Sequence, residues 1–213
     1  YADHLPLYRQ AQIMSRQGID LDRSTLADWA GRAAFELRPV FDALIADLKR
    51  STKLFMDETR APVLDPGSRK TKTGYFWALA RDDRPWGGGA PPGVAFNYAP
   101  GRGGVHGERI LQGFSGILQV DGYAGYNRLI APERVGPDIR LACCWAHARR
   151  KLVEITRNGT APIAEDGVKR IGELYRIEAE LRGLDQEARL AGRRERSAPV
   201  IADMQAWLVH HRA

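Results

Sequence analysis

After Lys53 the apolar period of this chain changes, and the change limits which folds are open to it. Leu54-Phe55-Met56 leads straight into Asp57, Gly74 to Arg81 reads Gly-Tyr-Phe-Trp-Ala-Leu-Ala-Arg, and Gly93 to Tyr98 follows beyond a Gly/Pro-rich connection. Aromatic and apolar runs of this kind, bounded by glycine and proline, suit pleated strands, and three of them joined by loops suggest an antiparallel meander. The spacing then turns helical from His106 to Phe114. Gly116 to Val120 reads as a short buried strand ending at Asp121, Tyr123 to Ile130 as a short helix, Ile139 to Trp145 as a further strand, and Ala146 to Ile155 as a helix. The resulting order, β-β-β-α-β-α-β-α, places the chain in the α/β class.

That succession resembles a ribonuclease-H-like fold, a mixed β-sheet (β-β-β-α-β-α-β) in which the first and fourth strands are parallel neighbours. Sites in such sheets form where adjacent parallel strands end. Asp57 and Asp121 each close one of those two strands in this reading, which brings them close enough to share a metal. Phosphoryl transfer to or from DNA uses two Mg²⁺ ions roughly 3.5–4 Å apart, one at the attacking and one at the leaving oxygen. Hard cations of that kind take carboxylate oxygens. An aspartate on a central strand is otherwise costly, by several kcal/mol when it lacks a partner or metal. Asp57-Glu58-Thr59 and Asp121-Gly122 are also good turn formers, so the spacing alone leaves a metal site and a pair of turn caps equally open.

On the N-terminal side, Leu7 to Gln17 is helix-compatible, Gly18 is a C-cap, and Ser24 or Thr25 can cap a second helix starting near Leu26. This is a helix-turn-helix silhouette. Leu26, Trp29, Ala30, Ala33 and Leu37 share one face and are expected to be core, and Pro39 marks a kink or a fresh start before Val40, Leu44, Ile45 and Leu48. A helix that reads DNA needs a basic exposed face, and Arg23 and Arg32 supply little of one, so packing is the expected role. Beyond Asn158-Gly159 the pattern is all-helical, with Ile171, Leu174, Tyr175 and Leu181 on one face. Ser197 is placed to cap a last helix bearing Ile201, Met204, Trp207 and Leu208. The expected division is an N-terminal helical segment (1–52), an incomplete catalytic core (53–157) and an α-helical insertion (158–213).

Composition sets limits on function. With 213 residues, 44% of them hydrophobic, the chain can bury a core, and it contains no repeat or low-complexity tract. The formal charge of +6 suits a polyanionic partner, but 26 acidic residues are spread among 32 basic ones, so charge alone argues only weakly for DNA. Cys143 and Cys144 are neighbours in an apolar run, where a disulfide between them is geometrically disfavoured; this points to a reducing compartment. No apolar stretch reaches the ~20 residues a membrane helix needs. The start of the chain lacks the pattern of a signal peptide. The expected location is cytoplasmic and nucleoid-associated. Residue 1 is Tyr, and the chain stops inside a helical pattern, which suggests a fragment of a longer protein.

Five ordered blocks carry a resemblance to a known family: Met56-Asp57-Glu58-Thr59, Thr71-Lys72-Thr73-Gly74, Arg81-Asp82-Asp83-Arg84-Pro85-Trp86, Gln119-Val120-Asp121-Gly122-Tyr123-Ala124-Gly125-Tyr126, and Cys144-Trp145-Ala146-His147-Ala148-Arg149-Arg150-Lys151. They resemble the signature blocks of the insertion sequence 66 family of transposases. The likeness reaches back to Leu5-Pro6-Leu7-Tyr8-Arg9 and Thr25-Leu26-Ala27-Asp28-Trp29, and forward through Leu174-Tyr175-Arg176-Ile177-Glu178. It implies an Asp-Asp-Glu (DDE) transposase on a ribonuclease-H-like core, with Asp57 and Asp121 as catalytic carboxylates and metal ligands for Mg²⁺, or Mn²⁺ in its place. The family's third carboxylate lies beyond a helical insertion in an Asn-Asn-x-x-Glu-Arg type of segment, which this chain lacks. The fragment alone is therefore expected to be inactive.

The resemblance favours phosphate contacts from the basic run His147, Arg149, Arg150 and Lys151, which opens a helix just after a core strand; the plainer reading is a solvated face. Arg69, Lys70 and Lys72, in the loop before Gly74, are weaker candidates of the same kind. Glu154 and Glu173 read as surface residues before they read as a missing ligand. His147 with Cys143 or Cys144 does not complete a zinc site, because no second Cys/His pair is present. Gly101 to Gly104 lacks the ending of a nucleotide-binding loop and reads as a flexible turn. Expected partners are transposon-end and target DNA, further copies of the chain in a synaptic complex, and accessory transposition proteins. The alternative is a non-catalytic DNA-binding or assembly module, or an inactive transposase relic, in which the two aspartates are structural.

Overall fold

The computed structural model describes residues 5–65, 67–68 and 70–212. They form two compact units, one up to Asp47 and one from Leu48 onward. In the first, α1 (Leu7–Arg16) is followed by a turn in which Gly18 takes φ +81° while the N–H groups of Gly18 and Ile19 donate to Ser15 and Met14. Glycine adopts that left-handed conformation without a steric penalty and ends the helix as expected. Next come α2 (Arg23–Glu36) and α3 (Arg38–Leu48), the latter a fresh start with Pro39 in its first turn, where a missing N–H matters least. Two expectations fail here. Asp22 is the N-cap of α2, in extended conformation, and Ser24 and Thr25 lie inside its first turn. The apolar stripe of α2 is not core: Leu26 is buried, but Trp29 is 54% exposed and Leu37 is also exposed. A unit of three short helices encloses too little volume to bury a full stripe.

Among the described residues the second unit is built on five strands: β1 (Lys53–Asp65), β2 (Lys70–Arg81), β3 (Gly93–Ala99), β4 (Gly116–Val120) and β5 (Ile139–Cys143). Their order across the sheet is β3-β2-β1-β4-β5. The first three pair antiparallel as a meander, whereas β1–β4 and β4–β5 are parallel. This is a mixed α/β architecture in which β1 and β4 are parallel neighbours. The helix α4 (Gly104–Ile110) leads into β4, a 3-10 helix (Ala124–Ile130) separates β4 from β5, and α5 (Trp145–Thr156) follows β5.

One phase of the strand alternation forms the core: Leu54, Met56, Trp77, Leu79, Leu118 and Val120 are all buried. The cover is α4 and the 3-10 helix. At Gly107 of α4 a Cβ would stand 3.3 Å from the Trp77 ring, and Tyr126 meets that ring edge-on at 5.9 Å. Leu111, Phe114 and Leu129 complete this layer. The opposite phase on β2 and β3, with Phe76, Val94, Phe96 and Tyr98, is exposed.

After a link in which Gly159 takes φ +136°, α6 (Pro162–Glu180), α7 (Gln186–Gly192), a π-helical turn (Arg193–Ser197) and α8 (Ala198–His211) complete the chain. The stripe Ala164, Gly167, Ile171, Leu174 and Ile177 of α6 is buried. A Cβ at Gly167 would lie 2.8 Å from Leu152 and 2.9 Å from Trp207, so α5, α6 and α8 converge there. Leu181 is buried as expected, but Tyr175 is exposed because it lies about 100° around the helix from Leu174. On α8 only Met204 of the expected stripe is fully buried, and Ile201 and Leu208 are exposed. Ser197 makes no side-chain cap, because the chain before it is already helical. Ion pairs from Arg189 and Arg193 to Glu178, and from Arg196 to Glu180, tie that charged segment to α6. Among the described residues no helix is long and apolar enough to cross a membrane.

Candidate functional site

Parallel pairing of β1 with β4 runs from Lys53–Ile117 to Phe55–Gln119 and stops. Asp57 and Asp121 each lie two residues past that last pair, so the register brings them level. The two aspartates reach this position differently. Asp121 follows the end of β4 in a turn: its Oδ1 accepts a 2.8 Å bond from the Tyr123 N–H, and Gly122 takes φ +91°. Asp57, by contrast, does not close its strand. β1 continues to Asp65 because β2 keeps pairing with it, Asp57 opposite Ala78 and Asp65 opposite Lys70. What ends near Asp57 is the partnership with β4.

Ligand oxygens of Asp57, Asp121 and Glu58 all lie within 4.8 Å of one another. Glu58 projects to the opposite face from Asp57, into the core phase of β1 after Leu54 and Met56, and its side chain is 0% exposed. Its charge is matched there. The Arg102 Nε donates to Oε1 at 2.6 Å and the Tyr126 hydroxyl donates to Oε2 at 2.5 Å. Burial pushes the Tyr126 phenol far above its ordinary pKa, and the bond to Glu58 adds to the shift. Both Glu58 oxygens are thus engaged, while each aspartate uses Oδ1 on a backbone N–H, Asp57 accepting from Glu58 at 2.9 Å.

A cavity of about 230 Å³ lies beside the pair, lined by Phe55, Asp57, Ala78, Gln119, Asp121 and His147, among others. His147 therefore comes to the same cavity as the aspartates. Its Nδ1 is buried and without a hydrogen-bond partner among the described residues, as is Nε of Arg149. Arg150 and Lys151 lie on the exposed side of α5 and pair with Glu154 at 4.0 and 3.2 Å. Glu154 and Glu173 both belong to surface ion pairs, the latter with Arg176, and neither joins the acidic cluster. Lys70 and Lys72 are on β2, not in a loop, because the β1–β2 hairpin extends past Gly74. Lys72 faces Val63, six residues along β1 from Asp57, or about 20 Å, and pairs with Asp65. Arg69 lies outside the described residues. Both cysteines are free thiols. At the end of the Gly101 to Gly104 stretch, Gly104 opens α4, and a Cβ on it would stand 2.1 Å from the Gly125 carbonyl, so the chain there is pressed against the Tyr123–Tyr126 segment.

The sequence does not single out Glu58, Arg102 or Tyr126. The available signal was positional. A carboxylate on the buried phase of a strand, two residues after Met56, requires a cation and a donor near it.

Comparison with known proteins bears on what this cluster is for. The family model described as "Transposase IS66 family" matches residues 1–213. This chain belongs to the IS66 family of transposases. Similar proteins include three uncharacterized proteins of Sinorhizobium fredii (strain NBRC 101917 / NGR234). Protein y4jD is 46% identical over 211 residues, covering 98% of this chain and 41% of its own length; y4qI is 45% identical over 211 residues, covering 97% and 39%. Protein y4hP is 40% identical over 222 residues, covering 99% and 40%. The chain thus spans about two fifths of the length of these relatives.

Proposed function

We propose that this IS66-family chain is part of a DDE-type DNA transposase, and that Asp57 and Asp121 hold the divalent ions used in strand cleavage and strand transfer. The observation that carries the reading is the level placement of the two aspartates just past the paired ends of β1 and β4, with ligand oxygens within 4.8 Å. The strand order β3-β2-β1-β4-β5, with the first three strands antiparallel and β4 and β5 parallel to β1, supports a ribonuclease-H-like core over residues 53–157. In this reading 158–213 is a helical insertion and 1–52 a helical segment that helps organise the ends.

The donor set fits magnesium or manganese, being made of carboxylate oxygens alone. Glu58 is spoken for by Arg102 and Tyr126, which leaves the two aspartates as the ligands this cluster offers. Divalent ions held there would supply an activated water for the cut and would stabilise charge on the leaving oxygen. The chain's own contribution is to hold two carboxylates in register, through the sheet for Asp57 and the Gly122 turn for Asp121. It also brings His147 and Arg149 on α5 toward the DNA backbone, with Arg150, Lys151, Lys70 and Lys72 as outlying phosphate contacts. The partners are transposon-end and target DNA, with further copies of the chain and accessory proteins in a synaptic complex.

The test is cleavage of transposon-end DNA by the full-length protein with Mg²⁺, beside Asp57→Asn and Asp121→Asn. Each variant should still bind the end but lose cleavage by more than about a hundredfold, since the ligands act as a unit. Undiminished cleavage by both variants would remove the catalytic assignment. End binding without cleavage by the unmutated protein would favour a non-catalytic assembly module.

A further inference from the structure

The loop between β3 and α4 carries a cation that neutralising Glu58 does not fully explain. Arg102 anchors one edge of its guanidinium on the buried Glu58, through Nε at 2.6 Å, and holds its Cζ 3.8 Å over the centre of the Tyr123 ring. The Tyr123 hydroxyl in turn donates to the Arg102 carbonyl at 3.2 Å, and Gly104 is packed against Gly125, so side chain and backbone are held together. Yet the Arg102 side chain is 39% exposed, and its NH2 lies only 3.8 Å from Asp121 Oδ2. A fixed positive charge beside a carboxylate meant for metal ions repels those ions. The placement is favourable when an anion enters with them, and a guanidinium with donors to spare matches phosphate oxygens.

We propose that Arg102 is a phosphate-contacting residue of this site, binding one backbone phosphodiester of DNA next to Asp121, and that Glu58 is the positioning residue that aims it. The inference rests on the reading of Asp57 and Asp121 as the cleavage site, and adds a binding group beside Asp121. Lysine in place of Arg102 retains the charge but loses the planar fork and the stacking on Tyr123. Glutamine in place of Glu58 retains the shape but loosens the anchor.

The experiment measures equilibrium binding of the full-length protein to duplexes carrying the source element's terminal sequence, with single phosphates around the cut replaced in turn by neutral methylphosphonates. Wild type should lose about 10–100-fold in affinity at one such position, the scale of a hydrogen bond to a charged group. Arg102→Ala should bind the unmodified duplex as weakly as wild type binds that modified one, with no further loss on modification. Glu58→Gln should show a reduced loss at the same phosphate, which a merely structural role would not confine to one position. If Arg102→Ala does not fold, Arg102→Lys carries the same test, a smaller loss at that phosphate supporting the proposal. Equal losses in wild type and variants at every position overturn it. Asp57→Asn separates the two readings: it should keep the phosphate-specific loss while cleavage disappears, and retained cleavage would refute the metal assignment without touching the Arg102 result.

Discussion

Removing one oxygen atom tests whether the network under the acidic pair is energetically real. In Tyr126→Phe the ring stays, and so does its edge-on contact with Trp77 at 5.9 Å, while the 2.5 Å donation to the buried Glu58 carboxylate is lost. A hydrogen bond to a charged group contributes about 1.5–3 kcal/mol, and Glu58, with a side chain 0% exposed, has no water to replace it. At about 2–4 °C per kcal/mol for a domain of this size, the thermal midpoint should fall by roughly 3–12 °C. Urea unfolding of the chain should show a lower midpoint at unchanged slope, since the surface exposed on unfolding is the same. The double variant with Glu58→Gln should cost less than the sum of the singles by more than about 0.5 kcal/mol, because the two groups share one interaction. A shift under about 0.5 kcal/mol, or strict additivity, would mean that the Tyr126 hydroxyl and Glu58 are not coupled.

Three further outcomes follow from the packing and the ion pairs. Trp77→Ala, at the centre of the buried layer, should destabilise the chain by about 3–5 kcal/mol in urea melts. Glu178 is held below the usual carboxylate range, first by its hydrogen bond from Arg193 and then by Arg189. The unfolded chain therefore binds that proton more readily, so the stabilisation is present above the ordinary glutamate value and is lost as pH falls through the lower folded one. Wild type should accordingly lose more stability than Glu178→Gln between pH 6 and pH 3, by less than about 1 kcal/mol because the pair is partly exposed. Gly122→Ala, at φ +91°, should cost about 1 kcal/mol and shift Asp121, lowering cleavage more than DNA binding.

The parts of the fold that were legible are those where local pattern and tertiary context agree. Gly116–Val120 appears as expected because an apolar run between Gly116 and Asp121 suits only a short strand flanked on both sides. The continuation of β1 through Asp57-Glu58-Thr59-Arg60-Ala61-Pro62 was not legible, since charges and proline read as a loop. The β2 partner supplies the hydrogen bonds regardless, and Pro62 is tolerated because β4 no longer flanks β1 there. The same misreading hid Glu58. Adjacent to Asp57 it looks like half of a turn, and only the strand phase, set by Leu54 and Met56, shows that it is buried. Arg102 had no local signal at all, because its partners Glu58 and Asp121 are 44 and 19 residues away in opposite directions. The exposure of Trp29 on α2 likewise depends on how little the first unit encloses, which no stripe reveals.

If Asp57 and Asp121 share divalent metal, direct metal binding shows it without waiting for turnover. Titration of the full-length protein with Mn²⁺, followed by electron paramagnetic resonance of the free ion, should show bound Mn²⁺ competed by Mg²⁺. In Asp57→Asn and in Asp121→Asn the affinity should fall by more than about tenfold, the lower end of what losing even an outer-shell partner costs. Mn²⁺ binding of unchanged affinity and stoichiometry in both variants would mean that the two aspartates do not hold the ion.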